Sequence, residues 1–399
     1  MSSSRSRYSG LLITAAFIGP GTVTTATLAG AQFGYQLLWA LIFSIFATII
    51  IQDMASRVGI VGQMGLSEAL HKTISQPLLK LFMILLVISA IGIGNAAYEA
   101  GNITGAAVGL ASVTTIDLPI WIGIISVIAA SAILFGNLWL IERFLITLVV
   151  LMSIVFIVAF SFSQPQLSAL FNGLTTAHID ADNVTMVIAL IGTTIVPYNI
   201  FLQSSLLSKG RSQQHLLPQI KEQWIQNMLS FSLGGIITIA IIGTAASTFF
   251  AQGLSVNTAN LALQLQPLLG NYATVFFALG LFAAGLTSAI TAPIAGAYAV
   301  CGALQLNVTP RDVSFKVVAS IILISGVMAA LSGIKPIAAI IFAQAANALL
   351  LPIIAIFLMI VINNKRIMRQ HTNSLINNIL SLMIVAVVVS LGSYKLWTL

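Results

Sequence analysis

The apolar positions of this chain fall in long continuous runs, and its polar residues collect in the short gaps between them. A hydrocarbon layer about 30 Å thick is crossed by about 20 consecutive apolar residues in a helix. Runs of that length predict eleven spans, over 11–35, 37–56, 78–108, 118–137, 143–163, 184–207, 227–250, 272–300, 316–334, 337–362 and 375–396. Two of them are interrupted, the first by Gly19-Pro20-Gly21-Thr22 and the sixth by Val196-Pro197-Tyr198-Asn199. Proline lacks an amide hydrogen and clashes with the preceding turn, so it breaks a helix. In lipid such a break persists only where the freed backbone groups face protein or a water-filled cavity. Paired breaks in corresponding positions of two halves point to a transporter's substrate site.

The runs also group. The first five spans (11–163) and the next five (184–362) each begin with a broken helix, and an odd number separates equivalents. The halves therefore run in opposite directions. The expected architecture is an all-α polytopic membrane protein, a 5+5 inverted repeat. An additional helix 11 at 375–396 lies outside the repeat, and residues 1–10 form an N-terminal segment.

Composition agrees, with 58% hydrophobic and 6% charged residues, against roughly 25% charged in a soluble chain. Arg5 and Arg7 resemble the start of a signal peptide, but apolar character continues to about Ile51, beyond the ~7–15 residues of a cleavable core. An uncleaved first span is expected. The net charge of +7 raises nucleic acid as a partner until the charges are placed. With the N-terminus inside, only Lys335 and Lys395 of the 16 Lys and Arg fall outside. That bias fixes a cytoplasmic N-terminus and an outer C-terminus, accounts for the basic charge and removes nucleic acid. With no targeting signal, the cell (inner) membrane is the expected location. The longest inner connection, Ser208–Gln226, carries Lys209, Arg211, His215, Lys221, Glu222 and Trp224 and reads as an interfacial amphipathic segment.

Few residues can carry chemistry. Of nine acids, Glu99 alone sits well inside a span. An acid there is a functional candidate by default; the bland alternative is a neutral, hydrogen-bonded group locking helices together. Tyr198 and Asn199 lie at the second break and read as cavity-lining. Gln344 and Asn347 share one helix face, where helix–helix hydrogen bonds are the alternative. Thr25 is expected to bond back to its own helix. The single Cys301 excludes an internal disulfide and a multi-cysteine metal site. His71, His178, His215 and His371 show no metal-ligand spacing. No hydrolase or phosphate-loop pattern occurs, so neither an enzyme nor a cofactor is expected. A channel is the rival class, because breaks alone do not specify gating, and a non-transporting sensor is a third.

Three stretches carry a family resemblance: Gly30 to Trp39, Ala283 to Ser288 with Thr291 and Ala295-Gly296, and Ala343-Gln344-Ala345 followed by Leu351-Pro352. From about Ile18 to Met359 the chain resembles the Nramp family of proton-coupled divalent-metal transporters. The resemblance implies a leucine-transporter-type fold. It also marks departures, because the family's breaks read Asp-Pro-Gly-Asn and Met-Pro-His-Asn. The first motif's Asp and Asn and the second's Met supply metal ligands there, with a backbone carbonyl beside the breaks. Gly19, Thr22 and Val196 stand at those positions here. The resemblance implies substrate contacts at Gly19, Gly21, Thr22, Val196, Tyr198, Asn199, Gln344 and Asn347. Glu99 falls where the family has an Asp in its proton path, Asn102 where it has a Glu, and Gln203 where it has a His, which makes Glu99 and Asn102 the proton-coupling candidates. The expected cargo is a partly hydrated metal cation rather than a typical transition metal; the alternative is a small anion or neutral polar solute. Membrane lipid and this small cargo are the expected partners, and the sequence leaves the oligomeric state open.

Overall fold

A computed structural model describes residues 18–136, 139–208, 216–258, 260–306 and 309–397. The N-terminal segment, the first half of span one, and Lys209, Arg211 and His215 lie outside the described residues. The described residues are helical almost throughout: α1 Pro20–Phe33, α2 Leu38–Gly62, α3 Leu66–Thr73, α4 Pro77–Ala111, α5 Leu118–Phe135, α6 Trp139–Phe162, α7 Leu167–Thr175, α8 Val184–Thr194, α9 Pro197–Leu207, α10 Leu216–Ala245, α11 Gln266–Leu269, α12 Ala273–Ala303, α13 Val313–Ala330, α14 Pro336–Ile362, α15 Lys365–Met368 and α16 Leu375–Trp397. Ten spans among the described residues are long and apolar enough to cross a membrane. They correspond to the second through eleventh predicted spans, and α1 is the described half of the first.

Lipid explains why composition located the spans so well. Side chains such as Leu78, Phe82, Phe135, Phe144 and Met328 face outward, which costs nothing in hydrocarbon. The expectation for 208–226 is corrected. From Leu216 onward it is the start of α10, a helix of 30 residues. At 1.5 Å per residue that is about 45 Å, longer than the hydrocarbon is thick, so its polar first turns stand clear of the membrane. A π-helical turn, Ala246–Phe250, ends it.

The two halves pack alike. α1 crosses α10 and, correspondingly, α9 crosses α2; α4 lies along α14 as α12 lies along α6. A glycine permits close approach at both members of the first pair. A β-carbon on Gly30 would strike the Ile242 carbonyl of α10, and one on Gly59 would strike the Ser204 carbonyl of α9. The α4–α12 pair forms the most extensive contact and backs both breaks.

α16 packs on α14, α8 and α2. Toward the C-terminal end of α2 a buried Arg57 pairs with Asp53 at 2.9 Å. It also donates to Asn373 Oδ1 and to the His371 carbonyl, both in the segment leading to α16.

Candidate transport site

Each break is a helix start prepared by proline. Gly19 is extended (φ −86°, ψ 174°) and Pro20 opens α1. Val196 is extended (φ −88°, ψ 115°) and Pro197 opens α9. Proline at the first helical position sacrifices only an amide that has no helical partner. α8 has ended two residues earlier, at Thr194. Its last carbonyls and the first amides of α9 therefore meet around residues 195 and 196, presenting partial charges of opposite sign.

Around the breaks the predicted residues divide between two faces. The first face looks toward α14. Gly21 and Gly192 both abut Gln344, Gly21 its side-chain amide and Gly192 its backbone carbonyl. Thr22 Oγ1 lies 3.0 Å from Thr193 Oγ1, which joins α1 to α8. Asn347 sits one turn along α14, equally buried. The second face looks toward α4 and α12. The side-chain position that Gly19 leaves vacant lies 3.1 Å from Ser288 Oγ and 3.6 Å from the Tyr98 hydroxyl. Tyr98 and Tyr198 pack edge to face, with ring centroids 5.2 Å apart. Val196 packs with them against Ala292 and Ala295 of α12. Asn199 is half-buried, and its backbone amide donates to the Val196 carbonyl at 3.1 Å.

Glu99 and Asn102 are brought together but not aimed at the breaks. Asn102 Nδ2 donates to Glu99 Oε2 at 3.3 Å, and both are fully buried. The aliphatic part of Glu99 rests on Gly326 of α13. Asn95, on the same stripe of α4, donates to the Ala292 carbonyl of α12 at 3.0 Å. This stripe faces α12 and α13, while Tyr98 and Gly105 of the same helix face Gly19 and Pro20.

Gln203 belongs to a satisfied network linking α9, α2 and α10. It donates to Ser56 Oγ at 2.7 Å and Asn227 Oδ1 at 2.8 Å. Its role there is cohesion. His71 bonds the Ala303 carbonyl, and His178 pairs with Asp180 at 3.1 Å. No group of three or more His, Cys, Asp or Glu side chains suited to a metal occurs among the described residues.

Several buried polar atoms near the breaks have no partner: Thr24 Oγ1 and Thr25 Oγ1 on α1, Ser288 Oγ on α12, Gln344 Oε1 and Asn347 Nδ2 on α14, and the Tyr198 hydroxyl. Thr25 thus does not bond back to its own helix as expected. An unsatisfied buried polar group costs about 1–3 kcal/mol, so a cluster of them marks a place for water or cargo. Sequence reasoning missed Thr193, Ser288 and Tyr98. Thr193 stood four residues before Pro197 in the broken span itself, whereas nothing in the sequence tied Ser288 or Tyr98 to the breaks.

A family model described as natural resistance-associated macrophage protein-like matches residues 10–398. The chain belongs to the Nramp family. The divalent metal cation transporter MntH of Yersinia enterocolitica is 26% identical over 389 residues, covering 96% of this chain and 92% of that protein. Among solved structures, the manganese transporter of Eremococcus coleocola superposes with a TM-score of 0.74 at 20% identity, over 96% of this chain and 84% of that one. MhsT, solved with L-phenylalanine, superposes with a TM-score of 0.63 at 15% identity, covering 98% of each chain. The fold is therefore the leucine-transporter type, and this Nramp chain is a secondary active transporter embedded in a membrane, not an enzyme.

Proposed function

We propose that this Nramp chain carries a divalent metal cation that keeps part of its hydration shell while it sits between the two breaks. The relatives named as metal cation transporters support a metal cargo over an anion or neutral solute. The observation that carries the hydrated form is the chemistry of the ligand positions. Gly19 brings no carboxylate and Val196 no sulfur, and the oxygens around the breaks are hydroxyls and amides. Soft sulfur favours late transition metals, whereas Mg²⁺ prefers oxygen ligands and gives up its waters reluctantly. Neutral oxygens do little to offset the cost of stripping a divalent ion bare. They can hold its water instead.

In this reading residues 11–163 and 184–362 are the two repeats, the N-terminus is cytoplasmic, the C-terminus is outside and the cell membrane is the site of action. The distribution of Lys and Arg supports that orientation. Proton coupling through Glu99, beside Tyr98 on α4, completes the reading.

Purified protein in liposomes is expected to take up Mg²⁺ saturably and Mn²⁺ poorly, read with internal ion-sensitive dyes. Saturable Mn²⁺ uptake at rates well above Mg²⁺ would overturn the hydrated-cargo reading, and Gly19→Asp with Val196→Met is expected to shift preference toward Mn²⁺.

A further inference from the structure

Ser288 behaves unlike its neighbours. Buried Ser and Thr side chains within these helices commonly return their hydroxyl to a carbonyl four residues back, as Thr287 does to Ala283 at 2.7 Å and Ser153 to Val149 at 2.7 Å. Doing so satisfies the hydroxyl without leaving the helix. Ser288 is 1% exposed, yet its oxygen has no partner. It lies beside the space that a side chain at position 19 would fill, 3.1 Å from where a β-carbon would sit. The Tyr98 hydroxyl borders the same space at 3.6 Å. Tyr198 meets Tyr98 edge to face, and its hydroxyl is likewise unpartnered.

Gly19 itself has φ −86°, which any residue adopts, so its backbone does not require glycine. What glycine supplies is close approach: hydroxyls from two helices, α4 and α12, come right up to the backbone at the start of α1. A hydroxyl both donates and accepts, which suits a water molecule that must in turn point its oxygen at a cation. A bare ion would find no charge there, and an apolar solute would leave the hydroxyls unsatisfied.

We propose that Ser288 is a cargo-positioning residue that, with the Tyr98 hydroxyl, hydrogen-bonds a water of the cation's hydration shell where that shell meets the start of α1 at Gly19. This rests on the hydrated-cation reading and names the residues that read the shell. Hydrogen bonds to water transmit the polarisation of the ion behind it, so the contact is worth more with cargo than without. Losing it should raise KM without abolishing turnover.

The test is Mg²⁺ uptake in liposomes, with KM and kcat separated, for the wild type, Ser288→Ala, Ser288→Thr and Gly19→Ala. Ser288→Ala is expected to raise KM about five- to tenfold, the size of one lost ordinary hydrogen bond, with kcat changed much less. Its melting temperature should not fall, because the hydroxyl has no protein partner to lose. Ser288→Thr, which keeps a hydroxyl, should restore most of the affinity. Gly19→Ala crowds the Ser288 hydroxyl from the opposite side with a methyl that fits after a few tenths of an ångström of adjustment. It should raise KM similarly, and the double variant Gly19→Ala, Ser288→Ala should be no worse than either single one, since both remove the same water. An unchanged KM in Ser288→Ala, or full additivity in the double variant, would overturn the assignment while leaving the hydrated cargo standing. Absence of Mg²⁺ uptake by the wild type would overturn both at once. A lowered melting temperature with unchanged KM would make Ser288 structural.

Discussion

At the scale of single residues, the clearest separation is between Tyr98 and Glu99. They are adjacent in sequence, yet Tyr98 faces Gly19 while Glu99 faces Gly326 and Asn102. Any coupling of Glu99 to cargo must pass through α4 rather than by direct contact. Glu99→Gln keeps an oxygen to accept from Asn102, so folding should survive. Uptake by this variant is expected to lose its response to an imposed pH gradient, measured with an internal pH dye alongside ion flux. Unchanged pH dependence would leave Glu99 as a structural hydrogen-bonding group. The sequence pointed to Glu99 because an acid in hydrocarbon is rare and costly. It could not indicate the direction in which the side chain points, since no residue near it sets the helix rotation.

At the scale of helices, the breaks and spans were legible because the physics behind them is local. Length and continuity of apolar character define a span, and Gly19-Pro20 and Val196-Pro197 set a helix start at each proline. The faces were not legible, because a helix buried on all sides shows no amphipathic stripe. α1 and α8 are buried almost throughout; Ser288 reaches the site only through packing of a distant segment, and Thr193, beside the second break in sequence, meets Thr22 of α1 only across the fold. The crossing of α8 on α14 makes this testable. A β-carbon on Gly192 would strike the Gln344 backbone carbonyl, whereas one on Gly21 would meet only the end of the Gln344 side chain. Gly192→Ala is therefore expected to destabilise the protein by about 1–3 kcal/mol through overpacking, seen as a lowered melting temperature in detergent. Gly21→Ala should melt near the wild type but transport poorly, because Gln344 must swing away from the break. Equal melting temperatures for the two would contradict this packing.

At the scale of the whole molecule, a cavity of about 940 Å³ opens where the loop after α1, the α7 segment and the π-helical turn after α10 meet. Asn172, Thr176, Gln36 and Ser247 are among its lining residues, and it lies at the end of α1 away from the break. The opposite end of the molecule is held differently. Arg57 of α2 is bound by one partner from its own helix and by two from the segment after α14. Breaking such a buried charge cluster costs on the order of 3 kcal/mol. Truncation after Ile362 is expected to lower the folded yield, measured by monodisperse elution in detergent, and Asp53→Asn with Arg57→Met in the shortened chain should recover part of it. Recovery without those changes would show Arg57 content with Asp53 alone. Through Arg57 the segment leading to α16 is tied to α2, so the last helix is no optional appendage. A chain ending after Ile362 would keep Asp53 beside Arg57 but lose the Asn373 and His371 acceptors, so the guanidinium at the end of α2 would answer to one partner where it now has three.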